Sequence, residues 1–183
     1  MPTRQKPVSA LKPRAQRRVS PKPESAKDAF SAIGVSLVDD ESIPWVPLAP
    51  YSNQIHVKYF RLDPARGEMI MLFRAANLSS LPRCHHSGST IVYTVAGRWT
   101  QLEEDWIAGP GSLVHIPAAT ARTPSVFGDG GPVVALLIVR GDIIFYRDSG
   151  EVLAIENWRT AMDRYLAYCH HAFITPVDLT AMG

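Results

Sequence analysis

The chain has 183 residues, 46% hydrophobic and 20% charged, which suits one globular domain with a core of its own and leaves no room for two comfortable ones. No apolar run reaches the about 18 residues of a membrane-crossing helix, and the first residues lack the apolar stretch of a secretory signal. The net charge of +2 is uneven: residues 1–27 hold eight bases against Glu24 alone, leaving 11 bases and 16 acids elsewhere.

Residues 1–24, rich in Pro, Ser, Ala, Lys and Arg, carry too little apolar surface to offset their ordering entropy and read as a disordered basic tail. A nucleic-acid arm, a membrane-surface patch and a transit segment are the alternatives, the last opposed by Pro2, Pro7, Pro13, Pro21 and Pro23. A short helix is predicted over Glu24–Ile33, stopped by Gly34. Ile55–Leu62, the turn Asp63–Gly67 and Glu68–Ala75 then read as a hairpin. Short strands follow at Arg83–His86, Thr90–Val95, Arg98–Glu103, Asp105–Ala108, Ser112–Ile116, Ala121–Phe127, Val133–Val139 and Ile143–Tyr146, mostly separated by Gly or Pro. Ile155, Trp158, Met162, Tyr165, Leu166 and Cys169 recur at helical spacing and predict an amphipathic C-terminal helix that caps the barrel and carries aromatic surface suited to a dimer contact. The expected domains are a tail and short helix over 1–34, an all-β barrel over 35–150, and a helix and tail over 151–183. Cys84 and Cys169 are too few for a disulfide scaffold, which favours a reducing, cytoplasmic setting and leaves a single bridge between them open.

Two stretches carry chemistry: Leu81-Pro82-Arg83-Cys84-His85-His86-Ser87-Gly88, with Tyr93 and Gly97 after it, and Gly111-Ser112-Leu113-Val114-His115-Ile116-Pro117, with Arg122-Thr123 after it. Between them lie Gly97-Arg98-Trp99 and Leu102-Glu103-Glu104-Asp105-Trp106. From about Ile43 to the C-terminal helix this series resembles the cupin superfamily, and within it the 2,4'-dihydroxyacetophenone dioxygenases and their ChrR-like relatives. The resemblance implies a double-sheet jelly roll (the cupin double-stranded β-helix), commonly oligomeric, with an iron ion in the barrel held by three imidazoles. It implies oxidative carbon–carbon cleavage of a hydroxyketone or diketone. The implied ligand positions fall on Cys84, His86 and Arg122, so one imidazole of three is kept.

Strand alternation turns Cys84 and His86 to one face and His85 to the other. Arg122 has no lone pair for a metal. Cys84 and His86 remain donors for Fe(II) or zinc, with Glu103 the candidate third ligand, because Trp99, Gln101 and Glu103 share a face by alternation; His115 is another. The alternative is a metal-free pocket in which Arg122 grips an anionic small molecule, favours the Cys84 thiolate, and leaves His86 as acid or base. Trp99, Tyr93 and His115 complete the substrate-contact candidates, with Cys84, His86 and Arg122 as the catalytic ones. The expected partners are a small-molecule substrate and further copies of the chain, as a dimer or tetramer. No membrane is expected, and nucleic acid only through the tail. Cys169-His170-His171 repeats the Cys-His-His string on a predicted helix, where consecutive side chains cannot converge on one ion.

Overall fold

The structure is a computed structural model and describes residues 37–49, 51–52 and 54–180. The tail and the helix expected over Glu24–Ile33 lie outside the described residues. After a 3-10 turn at Asp40–Ser42 the strands are β1 (Val46–Pro47), β2 (Ile55–Asp63), β3 (Glu68–Ala75), β4 (Cys84–His86), β5 (Thr90–Ala96) and β6 (Trp99–Gln101). They continue as β7 (Leu113–Ile116), β8 (Thr120–Arg122), β9 (Pro124–Val126), β10 (Val133–Arg140), β11 (Ile143–Tyr146) and β12 (Val152–Glu156), and the chain then enters helix α1 (Trp158–His171).

The strands form a six-stranded sheet in the order β1-β2-β3-β10-β5-β7, a four-stranded sheet β12-β11-β4-β8, and the pair β6-β9. This is the all-β architecture with one C-terminal helix that the sequence predicts. Alternation builds the core. On β10, Val133, Ala135 and Val139 are buried, while Val134, Leu136 and Ile138 are only partly covered on the other face. Val133 and Ala135 join Val92, Trp99, Ala108 and Ile116 in one apolar cluster, and Val139 belongs to a second that runs from Val57, Tyr59 and Met71 to Phe145 and Tyr165.

The β2–β3 hairpin forms as predicted. Asp63 Oδ1 accepts from the backbone nitrogens of Ala65 at 2.8 Å and Arg66 at 3.0 Å, which closes the turn. Gly97 ends β5 at φ +79°, and a Cβ there would lie 2.6 Å from the Pro132 carbonyl oxygen, so the turn into β6 admits no side chain.

Three boundaries differ from the sequence reading. The strand expected over Ala121–Phe127 is two strands: β8 pairs with β4 and β9 with β6, and the break falls before Pro124, which has no N–H for a ladder. The strand expected over Asp105–Ala108 shrinks to one bridge between Ala108 and Trp99. Ile155 belongs to β12, paired with Ile144 on β11, and the helix starts only after Asn157. Asn157 caps it by accepting from the nitrogens of Arg159 and Thr160, while Thr160 Oγ1 accepts from Asn157 N at 2.9 Å. Ala161, Tyr165 and Cys169 on α1 are buried, so the helix spends its apolar surface on its own barrel.

Candidate active site

β4 lies between β11 and β8, with Cys84 opposite Phe145 and Arg122. Its pleat turns Cys84 (2% exposed) and His86 (5% exposed) into the barrel and His85 to the outer side, as alternation predicts. There they meet an interior cavity of about 90 Å³, room for several waters or one small organic molecule. Phe73, Trp99 and Leu137 form much of its apolar wall; Thr90 and Gln101 add polar groups. Cys84 Sγ and His86 Nε2 are 3.6 Å apart, and His86 Nδ1 is 2.9 Å from Thr90 Oγ1. Trp99 Nε1 donates to Thr94 Oγ1 at 2.9 Å, which fixes the indole plane.

Burial sets the charge state. Desolvation, helped by the neighbouring His85, pushes the His86 pKa down to about 4. Desolvation, helped by the negative charge of Glu103, pushes the Cys84 thiol up to about 12. Near neutral pH the cavity therefore presents a thiol and an uncharged imidazole. The expected thiolate and the expected near-neutral acid–base histidine are both corrected by this burial.

Arg122 does not enter the cavity. Register places it on the same face as Cys84, yet its guanidinium bends outward, with Nη2 3.2 Å from Glu104 Oε1 and Nη1 donating to the Ala121 carbonyl at 2.9 Å. A long charged side chain keeps its stem on apolar surface and its head near water. Only the backbone of Arg122 meets the site, its carbonyl accepting from Cys84 Sγ at 3.5 Å. Glu103 is corrected as well. β6 ends at Gln101, and Glu103, exposed in the following turn, accepts from Thr123 N at 2.9 Å and Thr123 Oγ1 at 2.8 Å. Tyr93, 43% exposed, and His115, exposed on β7, point away from the cavity because Thr90, Val92 and Thr94 take the inward positions of β5 and Ile116 that of β7. Of the expected set, Cys84, His86 and Trp99 come together. Cys169 is buried on α1 while His170 and His171 are exposed, so that second string does not converge.

Thr90 and Gln101 join the site from outside the expected set. Thr90 holds the His86 ring, and Gln101 (3% exposed) stands in the cavity wall. Alternation along β6 placed Gln101 on the inward face with Trp99, and that was its signal.

The iron site implied by the resemblance needs three donors. Cys84 and His86 supply two. The third position holds a guanidinium paired with Glu104, and the Glu103 carboxylate is engaged by Thr123. Among the described residues no group of three or more His, Cys, Asp or Glu side chains is placed to hold an ion. The residues present do not fit that metal centre.

Comparison with known proteins places these observations. A family model described as the ChrR cupin-like domain matches residues 34–136. An RmlC-like cupin protein from Ralstonia eutropha JMP134 is 43% identical, with 84% of this chain and 99% of that one covered and a TM-score of 0.80. A second protein of that organism with a cupin-like fold is 18% identical over 80% of this chain and 95% of its own, with a TM-score of 0.70. An acetylacetone dioxygenase from Acinetobacter johnsonii is 17% identical over 82% of this chain and 99% of its own, with a TM-score of 0.63. A search of the curated proteins finds no match.

Proposed function

Because the chain belongs to the ChrR cupin-like family, whose fold here encloses a cavity between two sheets, we propose that it is a ligand-binding cupin for a small, uncharged, largely apolar molecule, working without a resident metal. The observation that carries this reading is the cavity wall. Among the described residues it holds no lysine, arginine or carboxylate, and its two titratable groups, Cys84 and His86, are neutral by burial. An isolated anion would meet no countercharge there, and its desolvation would go unrepaid. The expectation of an anionic ligand rested on Arg122, which pairs with Glu104 instead.

The iron-dependent dioxygenase reading is second. Its support is the placement of Cys84 and His86 side by side, 3.6 Å apart, on two implied ligand positions. The likeness to the acetylacetone dioxygenase, at 17% identity, extends to the fold.

The two readings separate on one protein preparation. Butanone and propionate share a size and differ in charge; binding is read by Trp99 fluorescence and thermal shift, metal by mass spectrometry. The expected result is binding of butanone, none of propionate, no effect of Arg122→Ala on butanone, and below about a tenth of an equivalent of transition metal. Propionate binding lost in Arg122→Ala restores the anion reading, and stoichiometric iron or zinc restores the metal one. The double variant Cys84→His with Arg122→His, which sets imidazoles opposite one another on β4 and β8 beside His86, is expected to gain iron.

A further inference from the structure

Among the described residues, two buried side-chain nitrogens lack a hydrogen-bond partner: Arg61 Nε and Gln101 Nε2. The first belongs to a guanidinium already bonded to Asp63 through Nη2 at 2.8 Å. The second lies in the cavity wall. Buried donors in folded proteins are nearly always paired, because an unpaired one keeps its full desolvation cost. The Gln101 side chain is enclosed, with the residue 3% exposed. Its backbone is held by pairing with Pro124 on β9, and its carbonyl accepts from Glu104 N at 2.9 Å. The neighbouring polar groups are engaged with one another, His86 with Thr90 and Trp99 with Thr94.

We propose that Gln101 Nε2 is the donor that reads a carbonyl oxygen of the ligand, so that the cavity takes a small ketone or similar neutral acceptor in preference to a hydrocarbon of the same shape. This deepens the reading of the barrel as an uncharged ligand cavity and rests on it. Discrimination follows from the asymmetry of buried hydrogen bonds: a carbonyl satisfies the amide, whereas an isosteric hydrocarbon leaves it unpaired. Trp99, fixed by its bond to Thr94, and Phe73 supply the apolar contact.

The test compares butanone with 2-methyl-1-butene, its analogue with a methylene in place of the oxygen, on the wild type and on Gln101→Met. Butanone affinity is expected to fall about tenfold or more in the variant, with the alkene unchanged or tighter. In the wild type the side-chain amide resonances of Gln101 should move with butanone and stay put with the alkene. Retained alkene binding shows that the variant is folded, and the resonance measurement needs no variant. If both probes bind wild type and variant in one unchanged ratio, and the amide signals do not move, Gln101 is not the reader although the cavity stands. If neither probe binds the wild type, the uncharged-cavity reading fails and takes this assignment with it.

Discussion

At the scale of single residues, the site is governed by the cost of charge inside the barrel. His86 has its pKa lowered to about 4 from an ordinary 6.5, and Cys84 has its pKa raised to about 12 from 9.0. Between pH 6.5 and about 4 the unfolded chain binds the imidazole proton and the folded one does not, so stability falls as pH falls through that window. Above pH 9 the unfolded thiol ionises while the folded thiol holds its proton to about 12, so stability falls as pH rises. The contribution of both groups is complete between 6.5 and 9. The acid limb is worth up to about 3 kcal/mol as an order of magnitude. Urea midpoints measured from pH 5 to 7 should therefore drop toward acid in the wild type and flatten in His86→Leu; an equal slope in both would show that His86 is not the titrating group. The inward pairing of Cys84 with His86 was legible in the sequence because alternation needs no knowledge of neighbours. The path of the Arg122 side chain was not, since register fixes where a Cβ points and not where a long, flexible stem carries its charge.

At the scale of elements, the acidic Leu102–Trp106 segment shows how a chemically suggestive motif can be architectural. Glu103 holds Thr123 by both its nitrogen and its hydroxyl, Glu104 pairs with Arg122, and Thr100 Oγ1 donates to the Trp106 carbonyl at 2.6 Å. Trp106 meets Trp99 edge-on with ring centroids 5.5 Å apart. These contacts tie the loop after β6 to the junction of β8 and β9, and so hold Trp99 and Gln101 against the cavity. Glu103→Ala is expected to lower stability by about 1 kcal/mol, the scale of a partly exposed hydrogen-bonded clamp, and to leave metal content unchanged. Loss of a bound metal in that variant would reinstate Glu103 as a ligand. The hairpin β2–β3 was readable because a turn-forming Asp-Pro…Gly stretch separates two apolar runs. β12 was not, because a five-residue strand leading straight into a helix lets Ile155 fit either periodicity, and only the capping pattern of Asn157 and Thr160 marks where one gives way to the other.

At the scale of the whole molecule, helix and barrel are joined by a buried ionic knot. Glu156, at the end of β12, lies opposite Arg164 of α1 in a two-pronged contact, Nη2 to Oε2 at 2.6 Å and Nη1 to Oε1. Tyr59 of β2 accepts from Arg164 at 2.7 Å, and Tyr51 donates to Glu156 Oε2 at 3.2 Å. Burial and the Glu156 charge hold the Tyr51 hydroxyl protonated, its pKa pushed up to about 12. Beyond the helix the chain returns to the barrel: Tyr165 Oη accepts from Val177 N at 2.8 Å, and Leu62 N donates to the Leu179 carbonyl at 2.9 Å. Such a knot specifies one docking of the helix, and removing half of it strands a charge. Arg164→Met should therefore destabilise the protein by about 3–5 kcal/mol, since the buried Glu156 side chain would lose its cation. Arg164→Met with Glu156→Gln removes both charges and keeps an amide for the two tyrosines, and should recover most of that loss in urea unfolding. Butanone binding in the double variant should match the wild type, because the knot lies outside the cavity wall apart from the sheet it braces. If the double variant is no more stable than Arg164→Met alone, the helix is held by the packing of Ala161, Tyr165 and Cys169, and the ion pair contributes only through its contacts.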